Sequence, residues 1–264
     1  MLSRPRKRST AVNLIVHKLS LAAPAFNEAE GIVPLVTNWL AYLRQSNLAS
    51  EFEIVICNDG SKDQTGALMD DLARLNPEFK PVHHKQNQGA AAALTTAIQN
   101  TQGDWVLLID SDGQFPLDNL PGLLAAAAGE RTAAVVGVRA RKQDSAFTRF
   151  GSTVSGWLCN CFHGTHYRDF NCALKLIEGR VVRALHLEAK GLNYSGEVMS
   201  KLLERGVHLA EVDVSHAPRA HGVSSAKAVK GARDRFLFVL YIGLRQLLLK
   251  TQVLRRPQTV REAA

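Results

Sequence analysis

The 264-residue chain predicts an α/β domain built on a mainly parallel sheet. Short apolar runs alternate with stretches of helical periodicity through the first half of the sequence. Each apolar run gives way to a polar or glycine-bearing turn. The composition, 46% hydrophobic and 21% charged, is that of an ordinary globular protein rather than a disordered or fibrous one. Strands alternating with helices imply right-handed crossovers and parallel pairing.

Residues 1–16, which include Arg4, Arg6, Lys7 and Arg8, read as a basic tail. Ala23-Pro24-Ala25 imitates a leader-cleavage site, but Asn13, His17 and Lys18 interrupt the apolar stretch before it, and 19–25 reads better as the first strand. Helical spacing of Ile32, Leu35, Val36, Leu40 and Leu43 predicts a helix over 30–48. A second strand, 53–57, ends in Asn58-Asp59-Gly60-Ser61. That tetrapeptide doubles as a turn and as an N-cap signal for the helix carrying Leu68, Leu72 and Leu75. Residues 80–84 form a third strand, 88–100 an alanine-rich helix, 105–109 a buried strand and 133–138 a fifth. Beyond that point the alternation weakens: 147–162 is helical, 168–177 mixed, 197–205 helical, 207–214 strand-like and 216–227 a loop with glycine and serine.

The last helix, 229–250, precedes a tail at 251–264. Its nine uncharged residues, 236–244, lie between Arg233, Asp234 and Arg235 on one side and Lys250, Arg255 and Arg256 on the other. A spanning helix needs about 20 apolar residues. This one suits a membrane interface, or packing on the core, or a dimer contact that would make the chain a homo-oligomer.

A formal net charge of +8 suits polyanions, whether nucleic acid, anionic lipid or phosphorylated substrate. No recognised nucleic-acid motif is present, so no nucleic-acid partner is expected. Cys57, Cys159, Cys161 and Cys172 make no CxxC pair or zinc spacing and read as reduced thiols of a cytosolic protein. The histidines show no ligand spacing that converges with the acidic residues. GxGxxG and GxxxxGK[ST] are absent, which disfavours a dinucleotide or P-loop site.

The polar clusters fall where strands end: 24–28, 58–63 and 110–114. In open α/β sheets ligands bind beyond the carboxyl ends of the strands, so the three clusters point to one site. Asp110-Ser111-Asp112-Gly113-Gln114 follows a buried strand directly. Hard cations such as Mg²⁺ or Mn²⁺ take carboxylates together with substrate phosphates. Asp112 would bind the metal, Asp110 the metal or a ribose, and the Gln114 amide oxygen would complete the set. The same residues would also serve as a polar turn capping the helix after Pro116.

Ala23-Pro24-Ala25-Phe26-Asn27-Glu28, Val55 to Thr65 (VICNDGSKDQT), Gly89 and Asp110 to Pro116 (DSDGQFP) come in order at fitting distances. Together they resemble the family 2 glycosyltransferases of GT-A fold, in particular the polyprenyl-phosphate, dolichol-phosphate mannose synthase-like branch. The resemblance covers 17–228. It implies a GT-A (nucleotide-diphospho-sugar transferase) fold and inverting transfer from a UDP- or GDP-sugar with Mg²⁺ or Mn²⁺. The acceptor would be a lipid phosphate, and the enzyme would sit peripherally on the cytosolic face of the membrane. Pro24, Phe26 and Glu28 would line the nucleoside pocket, Asp59 would accept from the base, and Asp110, Asp112 and Gln114 would take ribose and metal.

The 168–175 stretch, RDFNCALK, is similar to the family's block near the acceptor, with Cys-Ala-Leu-Lys where Ser-Gly-Phe-Arg is usual. Lys175 keeps the charge but loses the guanidinium fork. His216-Ala217-Pro218-Arg219 with Gly222 and Ser224 resembles the loop that closes over the donor diphosphate. Arg139, Arg141 and Arg149, with Lys175, stand where the family recruits the acceptor phosphate. A hydroxyl acceptor, the alternative, would need a general base, and Asp169 is the candidate. A solvated basic face and a non-catalytic nucleotide-binding adaptor are the other readings of these features.

Overall fold

The computed structural model describes residues 16–139, 146–188, 193–218 and 228–254. The first half runs β1 (Val16–Ala25), α1 (Ile32–Ser46), β2 (Ala49–Asn58), α2 (Thr65–Leu75), β3 (Phe79–His83), α3 (Ala90–Gln99) and β4 (Trp105–Leu108). A 3₁₀ turn at Leu117–Asn119 leads into α4 (Leu120–Glu130). Then come β5 (Ala134–Arg139), α5 (Ala146–His163), β6 (Lys175–Glu178), α6 (Gly179–Arg183), α7 (Tyr194–Glu204), β7 (Leu209–Val214) and α8 (Ala228–Lys250).

The seven strands form one sheet in the order β3-β2-β1-β4-β6-β5-β7. All pairings are parallel except those of β6, which is antiparallel to both β4 and β5. The sheet is therefore mainly parallel, as expected, and helices cover it. Its central strands are buried on both faces, which explains why they read as continuous apolar runs rather than alternating ones. Leu19, Leu21, Ile54, Val55, Ile56, Val106 and Leu107 are all essentially inaccessible to solvent.

Several elements differ from the periodicity reading. β1 begins at Val16, so His17 and Lys18 belong to the strand; Lys18 lies at its polar end, where its amide donates to Asp104 Oδ2 at 3.0 Å. At its other end the strand pairs on through Ala25 with Asn58, the end expected. The start of α2 is marked by Asp63, whose Oδ1 accepts from Thr65 N at 3.0 Å; Asn58–Ser61 forms the turn before it. β6 begins within the mixed 168–177 stretch and ends just past it, and α6 carried no periodic signal at its five-residue length. The four cysteines are unbridged, and only Cys161 is exposed.

The final helix is not a separate unit. Phe238, Val239, Ile242 and Leu249 are buried. Arg245 Nε lies 2.9 Å and 3.0 Å from the two oxygens of Glu204, whose side chain is 1% exposed. The Tyr241 hydroxyl donates to Glu188 at 2.5 Å. One face of α8 is thus packed on the domain. Among the described residues no helix is long and apolar enough to cross a membrane.

Candidate active site

Strand order brings the motifs together. β2, β1 and β4 are neighbours, so their carboxyl ends set Asn58, Ala25 and Ile109 along one edge of the sheet. β6 runs the other way and therefore starts at that same edge, with Lys175 paired to Leu108 on one side and Val136 on the other. β5 ends there too, at Arg139. One sheet edge thus carries all the described residues that the motifs singled out.

The first two loops are laced to each other. Asn27 adopts a left-handed φ of 55°. Its amide donates to Ser61 Oγ at 2.9 Å, and its side-chain oxygen accepts from Lys62 N at 2.9 Å. Glu28 N donates to Thr65 Oγ1 at 2.9 Å, and Ala29 N to Asp63 Oδ2 at 3.2 Å. The third loop is tied in through Ser111, whose hydroxyl donates to the Pro24 carbonyl at 2.7 Å. Pro24, Phe26 and Glu28, all partly exposed, form the rim above these bonds.

Asp59 occupies a different place from the one expected of a base contact. It is 2% exposed. Its oxygens accept from Gln88 N at 2.9 Å and Gly89 N at 2.8 Å, and His84 Nδ1 lies 2.8 Å from Oδ1. His84 Nε2 in turn lies 2.9 Å from Thr96 Oγ1 on α3. Asp59 therefore holds the 84–89 turn, and little of its acceptor capacity faces the cleft. His84, read from the sequence as an ordinary histidine, is part of that support. Gly60 is required beside it: at φ 65°, a Cβ there would stand 2.5 Å from the Gln86 carbonyl carbon.

Asp110 and Asp112 leave β4 partly exposed at the cleft. Burial and the neighbouring Asp112 carboxylate push Asp110 up to about 6, while the Tyr194 hydroxyl, Arg139 and Lys175 pull it down. Tyr194, at the first turn of α7, donates its hydroxyl to Asp110 Oδ1. Burial and the two aspartates push the Tyr194 phenol well above its ordinary value, so it remains a donor. No local motif marks Tyr194; the sole signal was its position one turn before the helical stretch at 197–205.

Gln114 clasps the segment after β7. Its backbone carbonyl accepts from Ala217 N at 2.8 Å, and its amide nitrogen donates to the Ala217 carbonyl at 3.2 Å. The amide oxygen is what remains for a metal. Phe115 lies against the His216 ring, with centroids 4.8 Å apart.

The acceptor-side residues divide. Arg139 forks onto Asp169, Nε to Oδ2 at 2.7 Å and Nη2 to Oδ1 at 3.1 Å, with both side chains largely buried. The expected general base is thus already engaged by a guanidinium. Lys175 is not a surface cation: it is 1% exposed, and its ammonium donates to the Cys172 carbonyl and, at 2.7 Å, to Ser195 Oγ. The physical reason is its place on β6, an inner strand between β4 and β5, where a side chain leaving the sheet is covered by the packed interior. Burial pushes it down to about 8, against the opposing pull of Cys172, Asp169 and Asp110. Arg141, Arg219 and Ser224 lie outside the described residues, as does the side chain of Arg149.

Asp110 and Asp112 fit a hard dication that draws its other ligands from substrate. The Asp112 carboxylate raises the cost of ionising Asp110, which a bound cation relieves. Among the described residues no group of three or more His, Cys, Asp or Glu side chains could hold a metal on its own. The protein would supply part of the ligand set and a diphosphate the rest.

A chain with this sheet and this acidic strand end matches the family model Glycosyl transferase family 2 over residues 20–184, and it belongs to that family. An undecaprenyl-phosphate 4-deoxy-4-formamido-L-arabinose transferase of Pseudomonas fluorescens Pf-5 is 32% identical over 208 residues, 78% of this chain and 59% of the relative. The Pf0-1 counterpart is 30% identical over 211 residues, 79% and 60% respectively. The chain spans about 60% of the length of these curated relatives. Among solved structures, glucosyl-3-phosphoglycerate synthase from Mycobacterium tuberculosis, in complex with Mn²⁺, UDP-glucose and glycerol 3-phosphate, superposes with a TM-score of 0.64. It shares 18% identity and covers 87% of this chain and 80% of its own. TarS 1-349 from S. aureus gives 0.60 at 15% identity, covering 88% and 65%. This chain shares the GT-A fold with these solved structures.

Proposed function

We propose that the chain is an inverting glycosyltransferase that moves a sugar from a UDP- or GDP-sugar to a polyprenyl phosphate at the cytosolic face of a membrane. The observation that carries the acceptor class is the Arg139–Asp169 fork at the end of β5. A hydroxyl acceptor must lose a proton as it attacks, and a base whose two oxygens are held by a guanidinium is badly placed to take it. A phosphate oxygen arrives already anionic and needs only positioning and charge compensation. Undecaprenyl phosphate stands in the names of the curated relatives, which favours the same choice.

In this reading the 24–28 rim holds the nucleoside, and Asp59 acts through the 84–89 turn. Asp110 and Asp112, with Gln114, would hold Mg²⁺ or Mn²⁺, which when bound offsets the charge of the departing diphosphate. The M. tuberculosis synthase, solved with Mn²⁺ and UDP-glucose, supports that cofactor class. Tyr194 fixes the orientation of Asp110. Arg219 and Ser224 would close over the diphosphate, and Arg139, Arg141 and Arg149 would receive the acceptor phosphate. Its oxygen attacks the anomeric carbon from the face opposite the leaving nucleotide, so one C–O bond forms as another breaks and the configuration inverts.

The test is turnover. Purified protein with Mn²⁺, a panel of UDP- and GDP-sugars and undecaprenyl phosphate should form a glycolipid detectable by mass spectrometry, and Asp112→Ala should abolish it. The absence of both transfer and donor hydrolysis with every common nucleotide-sugar would refute the proposal.

A further inference from the structure

α8 has a second apolar face. Opposite its buried residues, Phe236, Leu237, Leu240, Leu244 and Leu247 are each more than half exposed. Fraying does not explain this, because the Arg245–Glu204 and Tyr241–Glu188 bonds fasten the helix to the domain. α5 carries a matching stripe, with Trp157 63% and Val154 38% exposed.

The two stripes share one side of the molecule. Gly151 lies beside the Arg235 side chain, and further along both helices Gly243 lies against the Phe162 ring. The contacts advance in the same direction, so α5 and α8 run parallel. At about 100° per residue, Val154 and Trp157 lie on the flank of α5 away from its buried Ser152, Ser155 and Cys159. The exposed leucines likewise lie away from buried Phe238, Val239 and Ile242. Two parallel neighbours that bury the same flank expose the same outer one. The result is an apolar surface two helices wide, which exceeds the narrow single seam of a coiled coil.

Its charge is one-sided. The described cations of the two helices are Arg233, Arg235, Arg245 and Lys250, against a single acid, Asp234, which Arg233 pairs at 3.4 Å; Arg245 turns inward to Glu204, while Arg233 and Lys250 are exposed. The Arg233 side chain is 69% exposed. Apolar side chains with a tryptophan among them, bordered by cations, have the chemistry of a helix surface seated at the headgroup level of an anionic bilayer. The acceptor end of the site is fastened to the opposite, buried flank of α5, so the helix joins the cleft on one side to the apolar surface on the other. Asn171, two residues from Asp169, donates to the Ser152 carbonyl and to Ser155 Oγ on α5, both at 3.1 Å.

We infer that the outer face of α5 and α8 is a docking surface for an anionic lipid bilayer, presenting the Arg139 side of the cleft to membrane-borne acceptor. The direction of presentation rests on the proposed lipid-phosphate acceptor; the surface itself does not.

Vesicles of phosphatidylcholine containing phosphatidylglycerol, against phosphatidylcholine alone, test it by co-sedimentation with the full chain. Wild type should sediment with the anionic vesicles and be released by salt. The double variant Leu240→Glu/Leu244→Glu should bind about 10-fold more weakly or worse, with unchanged circular dichroism. As a second measurement on unaltered protein, brominated lipid should quench tryptophan emission, and Trp157→Phe should remove that quenching, since Trp39 and Trp105 lie in the domain. Wild-type protein that ignores anionic vesicles, or a double variant that binds them equally well, overturns the inference. So does sedimentation showing a wild-type dimer that the double variant dissolves without any vesicle binding, which would assign the face to a second copy. Turnover with a short, water-soluble isoprenoid phosphate separates the two proposals. Unchanged turnover without vesicle binding removes only the docking surface; vesicle binding without turnover on any acceptor removes only the reaction.

Discussion

Replacing Asp169 by Asn isolates the ion pair on which the choice of acceptor turns. The Arg139 and Asp169 side chains are 11% and 2% exposed, and they meet through two bonds of 2.7 Å and 3.1 Å. Opposite unit charges some 4 Å apart attract by about 4 kcal/mol at an effective dielectric constant near 20. Removing one partner of a buried pair costs about 3–5 kcal/mol, because the other is left uncompensated. Here Arg139 keeps the attraction of Asp110, so the loss belongs at the lower end, about 3 kcal/mol. In a domain of this size each kcal/mol lowers Tm by about 2–4 °C, and the variant should melt about 6–12 °C below wild type. Arg139→Met should cost a similar amount. The double variant should lose less than the sum of the two, with a coupling of about 2 kcal/mol. Thermal and urea unfolding followed by circular dichroism measure all four proteins. A coupling within about 0.5 kcal/mol of zero would refute the buried-pair account. On the functional side, folded Asp169→Asn should retain measurable transfer to polyprenyl phosphate. Complete loss of transfer with normal donor hydrolysis would restore Asp169 as a base and, with it, a hydroxyl acceptor.

Tyr194→Phe removes a hydrogen bond to a carboxylate while keeping the buried ring. Calorimetry with Mn²⁺ and UDP or GDP should show affinity about 10-fold weaker, and equal affinity would remove Tyr194 from the site. Gly60→Ala forces a side chain into a left-handed backbone against the Gln86 carbonyl carbon. It should cost more than about 1 kcal/mol and weaken nucleotide binding, checked by urea midpoint and the same calorimetry. Burial, with help from Lys250, pushes His163 down to about 4 from 6.5. Its folded value lies below its unfolded one, so the penalty is absent above about pH 6.5 and grows as pH falls toward 4, where the unfolded chain takes the proton first. Near pH 5 this amounts to about 2 kcal/mol. Urea midpoints of wild type and His163→Gln at pH 7 and pH 5 should diverge by that amount, and a constant gap would contradict the assignment.

The order of strands and helices through β4 was legible in the sequence because local periodicity and turn chemistry report local geometry. The same holds for the three polar clusters: a buried parallel strand is a short apolar run, and the functional loop begins where that run stops. Four motif blocks then sufficed for the family. What periodicity cannot carry is which segments meet. β6 inserts antiparallel between β4 and β5, and that pairing places Lys175 beneath the acidic strand end instead of on the surface. Arg139 and Asp169, 30 residues apart, become a fork. Tyr194 reaches Asp110 across 84 residues, and Asp59 turns inward to hold a loop 29 residues away. α8 read as either a core helix or an interfacial one because its sequence is apolar on two sides. Packing against α5 and α7 buries one side and leaves the other facing out, an outcome set by the neighbours rather than by the helix itself.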